Sequence, residues 1–210
     1  MKTIFIHIPK TGGTTLKEIF KKDYHPDDIY EDLSDFGTPD ISRIKQKVIF
    51  GHICYHESYS GNNLITVLRN PINRIISHYG HVLGNDHPSK PFAEKGLADY
   101  AGNPHHKQLD NGMIRQITNT MHLPFGSIGS SHLADALSAL GEFTAVGILE
   151  NFDEFIDRLF AKGIIKQREY ESMNIGRINP EDVLTSESMD AIISNNNYDI
   201  KLYNFMMKNK

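Results

Sequence analysis

The segment His7-Ile8-Pro9-Lys10-Thr11-Gly12-Gly13-Thr14-Thr15 joins a cation, three hydroxyls and a Gly-Gly turn directly after the apolar run Thr3–Ile8. A strand that turns sharply into a helix aims backbone N–H groups and the positive helix end at one point, which is an anion site. Lys10 adds a full charge there, and Thr11, Thr14 and Thr15 add hydroxyl donors. Gly12 and Gly13 let the backbone approach a phosphate-like group closely. In the Walker A pattern the lysine follows the second glycine. Here it precedes the pair, which disfavours ATP or GTP as the ligand. The plain alternative is a strand–turn–helix corner with a surface lysine, and the complete Pro-Lys-Thr-Gly-Gly-Thr-Thr string weighs against it.

A second constellation follows the run Leu64–Leu68. Arg69 stands where that strand ends, and ligands of open α/β sheets bind at the carboxyl ends of strands. Asn70 is a good N-cap and Pro71 pre-sets a helix start. Arg69 can fork onto a second phosphate while Ser77 donates to it from the helix. Arg74 reads as a solvated or ion-paired helix residue rather than a ligand.

These residues need a scaffold, and the patterning supplies one. Strands are expected at residues 3–8, 47–51, 64–68 and 143–149, each a short β-branched or aromatic run. Helices are expected from Thr14 or Thr15 as N-cap to about Lys22, from Pro71 to Leu83, and near 109–119, 131–140, 152–161, 187–194 and 198–207. Residues 84–108, rich in Gly, Pro, Asn and His, read as a long functional loop with a short helix near 91–100. Strands alternating with helices imply an α/β fold: a P-loop-like three-layer architecture with a mainly parallel central sheet flanked by helices. The 210 residues form one domain, with 84–108 as an insertion in it.

Composition excludes other classes. With 22 Lys+Arg against 26 Asp+Glu the net charge is −4, so the chain lacks the basic balance of a nucleic-acid or polybasic membrane binder. One cysteine excludes an intramolecular disulfide framework. Met1–Ile8 is too short for a signal core and no apolar run reaches 18 residues, so a cytoplasmic protein without a transmembrane segment is expected. Eleven histidines invite a metal reading, but without a His-Glu-x-x-His motif they read as scattered, and no metal is expected.

Together the two constellations resemble the PAPS-dependent sulfotransferases, specifically the carbohydrate branch related to the heparan and uronyl 2-O-sulfotransferases. In that family the first loop binds the 5′-phosphosulfate of 3′-phosphoadenosine 5′-phosphosulfate (PAPS). An Arg at a strand end and a Ser eight residues later bind the 3′-phosphate, which is the spacing of Arg69 and Ser77. Phe50–His56, Leu109–Arg115, Val146–Glu150 and Tyr198–Tyr203 are similar to further family segments. Asn70 stands where the family more often has Asp. The resemblance implies PAPS as donor and 3′-phosphoadenosine 5′-phosphate (PAP) as product. It also implies a bacterial-type enzyme acting on a small-molecule or oligosaccharide hydroxyl, with no nucleic-acid partner. The oligomeric state is not readable from the chain.

On this reading Lys10 and the backbone of Thr11–Thr15 stabilise charge during in-line displacement. His52, at a strand end and in the segment where the resembling enzymes carry a histidine, is the candidate base, with His56 and Glu57 as alternatives and His7 orienting the loop. His56 and Arg115 are candidate acceptor contacts, and Arg177 a candidate cofactor contact. Phe92, Tyr100, His105, His106 and Lys107 are candidates for lining the acceptor site. Two other readings remain: a P-loop nucleotide kinase using ATP–Mg²⁺, and a non-catalytic nucleotide-binding protein.

Overall fold

The computed structural model describes residues 1–32, 35–171 and 178–209. Its centre is a parallel sheet of β1 (Thr3–Ile6), β2 (Ile29–Asp32), β3 (Val48–Gly51), β4 (Asn63–Leu68) and β5 (Ala145–Ile148), ordered β2-β3-β1-β4-β5. The helices are α1 (Gly13–Asp23), α2 (Pro71–Leu83), α3 (Lys90–Ala93), α4 (Leu97–Ala101), α5 (Gly112–Ile117), α6 (Ser130–Leu140), α7 (Phe152–Ala161), α8 (Ser186–Asn195) and α9 (Asn197–Lys208). This is the expected α/β architecture.

Because parallel strands are covered on both faces, β1 is buried at all four positions and reads as continuously apolar. Its Phe5 joins Phe50, Ile65 and Val67 beneath α1 and α7, where Leu16, Phe20, Phe155 and Leu159 complete the core. Burying each such side chain contributes about 1.5–3 kcal/mol. Ile4, Ile6, Ile49 and Leu64 face the other way, toward Ile41, Ile53 and Tyr59. Gly147 of β5 has no room for a side chain, since a Cβ there would lie 2.6 Å from the Phe155 ring.

Register fixes where the loops emerge. Ile6 pairs with both Gly51 and Thr66, and Leu68 pairs with Ile148. The segments after β1, β3, β4 and β5 therefore leave from one edge of the sheet.

Several expectations needed correction. β2 lies in a stretch that reads as polar, because an edge strand pairs on one side only and buries just Asp32. α1 is N-capped by Gly12 at φ 88°, not by Thr14 or Thr15, which lie inside the helix. The 84–108 segment carries two short helices rather than one. Arg74 takes the ion-paired alternative, not the solvated one: it is completely buried, its guanidinium donates to Gln108 Oε1 (3.1 Å) and O (2.7 Å), and it pairs with Asp199 at 3.8 Å.

Candidate active site

The loop after β1 is built around two unusual backbone positions. Lys10 adopts φ 69° and Gly12 φ 88°, both in the left-handed region, which a non-glycine residue occupies at a cost. Two hydrogen bonds hold that geometry. Thr11 donates its hydroxyl to Ile8 O at 2.7 Å, and Arg69 donates to Lys10 O at 3.0 Å. A Cβ on Gly12 would fall 2.6 Å from Leu149, and one on Gly13 would lie 1.9 Å from His7 Nε2. The His7 ring thus fills the space a side chain at Gly13 would need. No side chain caps the first turn of α1, so its N-terminal amides face the cavity uncapped.

The corner after β4 is finished differently. Asn70 Oδ1 accepts from Ile72 N (3.0 Å) and Asn73 N (3.2 Å), and Asn70 N donates to Glu150 Oε1 at 2.9 Å. Arg69 is half-buried; burial lowers its pKa and Glu150 pulls it back up.

These two corners and the segment after β3 open on one cavity of about 1200 Å³. Lys10, Gly12, Gly13, Thr14, Thr15, His52, Arg69 and Ser77 all line it. Thr11 does not, being buried with its hydroxyl turned to Ile8. His52 is exposed at the cavity, 4.7 Å from the His7 ring centroid and stacked with Phe36 at 5.9 Å and 11°. Crowding by the protein lowers its pKa, with Asp35 and Glu31 pulling the other way, so the ring is neutral at pH 7. His7 is held neutral more strongly, first by burial and then by His52, Lys10 and Lys17.

Two candidate acceptor contacts lie elsewhere. His56 is exposed and outside the lining; its Nδ1 accepts from Ser58 N at 3.2 Å and so caps a short turn. Arg115 is completely buried, paired with Asp110 and donating to the carbonyls of Asp110, Thr120, Leu123 and Pro124, which leaves its guanidinium folding one turn rather than facing the cavity. Arg177 lies outside the described residues.

The reading of the histidines as scattered was wrong in an informative way. His78, His81, His87, His105, His106 and His122 all border the same cavity. The signal was available in part: His78 and His81 follow Ser77 at the next position and one turn on. Phe36, Phe152 and Tyr170, which also line it, carried no local motif. Of the loop candidates, His105, His106 and Lys107 reach the cavity, while Tyr100 stands behind it. Among the described residues no group of three or more His, Cys, Asp or Glu is disposed to hold a metal ion, and no helix is long and apolar enough to cross a membrane.

With two cations, an uncapped helix start and a neutral imidazole at one cavity, the site can bind a doubly anionic ligand and accept a proton beside it. Comparison with known proteins agrees on the class. The model of the sulfotransferase family matches residues 1–206. The chain is similar to the crystal structure of mouse sulfotransferase SULT7A1 complexed with PAP, at 12% identity and a TM-score of 0.45, over 97% of this chain and 89% of that one. No protein of curated function matches it.

Proposed function

The chain belongs to the sulfotransferase family, and from that premise we propose that it uses PAPS to sulfate a hydroxyl of a carbohydrate acceptor, by in-line displacement with His52 as base. The observation that carries this reading is the meeting of Lys10, the uncapped α1 start, Arg69, Ser77 and His52 at one cavity.

The residues fit the donor. Gly13 is bare of side chain where His7 closes in beneath it, so the α1 amides stand open to a phosphosulfate. Arg69 and Ser77, on the adjacent corner, fit the 3′-phosphate, and Phe152 and Tyr170 offer flat faces to a base. Bound there, PAPS supplies an activated sulfonate on a phosphate leaving group.

Lys10 and the α1 amides then hold the charge that grows on the leaving oxygens, a contribution typically worth about 10²–10³ in rate per donor. His52, neutral at pH 7, accepts the acceptor hydroxyl proton at one ring nitrogen while Phe36 keeps the imidazole in plane. Such base catalysis typically contributes about 10²–10⁴-fold. His7 lies too deep to reach an acceptor and supports the loop instead. The chemistry needs positioning and charge, both of which this chain's residues can supply.

Thermal unfolding with PAP, ATP–Mg²⁺ and 5′-AMP tests the reading. At about 100 times its Kd, PAP should stabilise the protein by about 2.7 kcal/mol. The selectivity for PAP should vanish in Arg69→Ala. His52→Ala should keep the PAP response and lose turnover, with the acidic limb of the wild-type rate profile falling below the ordinary histidine range. A preference for ATP–Mg²⁺ would refute the assignment in favour of a kinase.

A further inference from the structure

The cavity has a second side. Besides the His7–His52 pair, α2 and the 84–108 segment contribute His78, His87 and His106 to its lining, with His81. Ring centroids lie 4.9 Å apart for His78–His106, 5.4 Å for His87–His106 and 6.1 Å for His78–His87. Lys10 acts electrostatically on both His7 and His78, and His81 acts on His52. The cluster and the base therefore share one cavity with Lys10.

This wall is built rather than incidental. Tyr100 OH is hydrogen-bonded to His78 Nδ1, and Ser89 N donates to His87 Nδ1 at 3.0 Å, which fixes His87 as a donor through Nε2. Asn103 Oδ1 accepts from His105 N at 3.0 Å, and buried Arg74 grips Gln108 behind the turn that carries His106. His106 Nε2 is enclosed and has no hydrogen-bond partner among the described residues. A buried polar nitrogen without a partner is costly.

We propose that this imidazole wall, centred on the paired rings of His78 and His106, is the acceptor subsite and that it selects an uncharged polyhydroxyl acceptor, a neutral sugar, over one bearing a carboxylate. The inference rests on the sulfotransferase reading and narrows its acceptor class, against the uronate-containing glycans that the resemblance alone suggests.

The argument is one of matched chemistry. His78 and His106, packed this closely with the Arg74 guanidinium behind them, are disfavoured from carrying positive charge. Burial first, then His87 and Arg74, lower the His106 pKa to about 4, and burial holds His78 well below its usual value. Neutral imidazoles each present one donor or one acceptor, and a hydroxyl answers either role. A carboxylate accepts only and loses its hydration on entry, so it needs cations. Lys10 and Arg69 are committed to the donor, leaving Lys107 as the wall's cation, while Asp35 on the His52 side repels an anion. Met121 and the ring faces suit the apolar face of a sugar.

The experiment uses the PAP-loaded protein and the carbon–proton ring signals of its histidines in NMR. Methyl β-glucoside and methyl β-galactoside are titrated against methyl β-glucuronide, with His106→Asn identifying one signal and His87→Asn another. The His106 and His87 signals should move with a neutral glycoside at a Kd at least about tenfold below that of the glucuronide. His106→Asn should raise that Kd by about tenfold or more while leaving the PAP Kd unchanged. If that variant fails to fold, His87→Asn carries the same expectation. Wall signals that stay still with both neutral glycosides, or a glucuronide that binds as tightly, would overturn the proposal. Failure of PAP to bind the wild type would instead refute the donor reading, a separate result.

Discussion

Two strand–helix corners meet at this site, and they solve the same local problem in opposite ways. After β4, Asn70 spends its side chain on the helix's own amides and Pro71 removes another donor, so the start of α2 is closed. After β1, Gly12 has no side chain to spend and α1 starts open. The first corner offers a ligand side chains, those of Arg69 and Ser77, whereas the second also offers its backbone. Helix capping and anion binding compete for the same N–H groups, so a chain selects one use at each helix start.

The largest expected effect comes from closing the open corner. Gly13→Ala drives a methyl into the His7 ring, where overpacking costs about 1–3 kcal/mol or more. Its PAP-induced rise in melting temperature should disappear. Adding His7→Ala removes the clash and should recover the fold, read by urea unfolding. If Gly13→Ala alone binds PAP normally, the amides of α1 are not the phosphosulfate site.

Acid separates the two corners by a smaller amount. The corner after β1 rests on a His7 whose folded-state pKa lies well below the usual value. Below about pH 6.5 the unfolded chain therefore binds a proton that the folded chain refuses. Stability is present above that pH and falls as pH drops, by up to about 1.4 kcal/mol per pH unit for this group. His7→Asn should flatten the slope of stability against pH between 6.5 and 5 by about that amount. An unchanged slope would mean that His7 is protonated in the fold.

Asn70→Ala should have the smallest effect: about 1 kcal/mol of stability at every pH, with little change in the Kd for PAP. A large loss of PAP affinity would show that the closed corner binds through its backbone after all.

Both corners were legible in the sequence because each is a contiguous string with a mechanism: apolar run, turn residues, charge. Arg69 and Ser77 were readable because the end of β4 and the helix that follows it carry both to the cavity. The strands also announced themselves wherever the sheet buries both faces, and β2 escaped because at the edge it need not be apolar. Arg115 misled for the opposite reason. A charged residue on a helix suggests a ligand contact, but besides Asp110 its partners in the fold are backbone carbonyls, which have no signature in sequence. The histidine wall was hidden because its members come from separate segments that only tertiary packing assembles.

Cys54 gives the molecule a built-in reporter. Its thiol bonds to Phe36 O at 3.3 Å and its N–H to Gly37 O at 2.9 Å, so it pins the loop whose aromatic ring stacks on His52. Burial pushes the thiol up to about 12, so at neutral pH it has almost no thiolate to react. As the chain's one cysteine, it can be alkylated only when that loop lifts. The rate of labelling therefore clocks, in an unmodified protein, how often the Phe36 ring leaves His52.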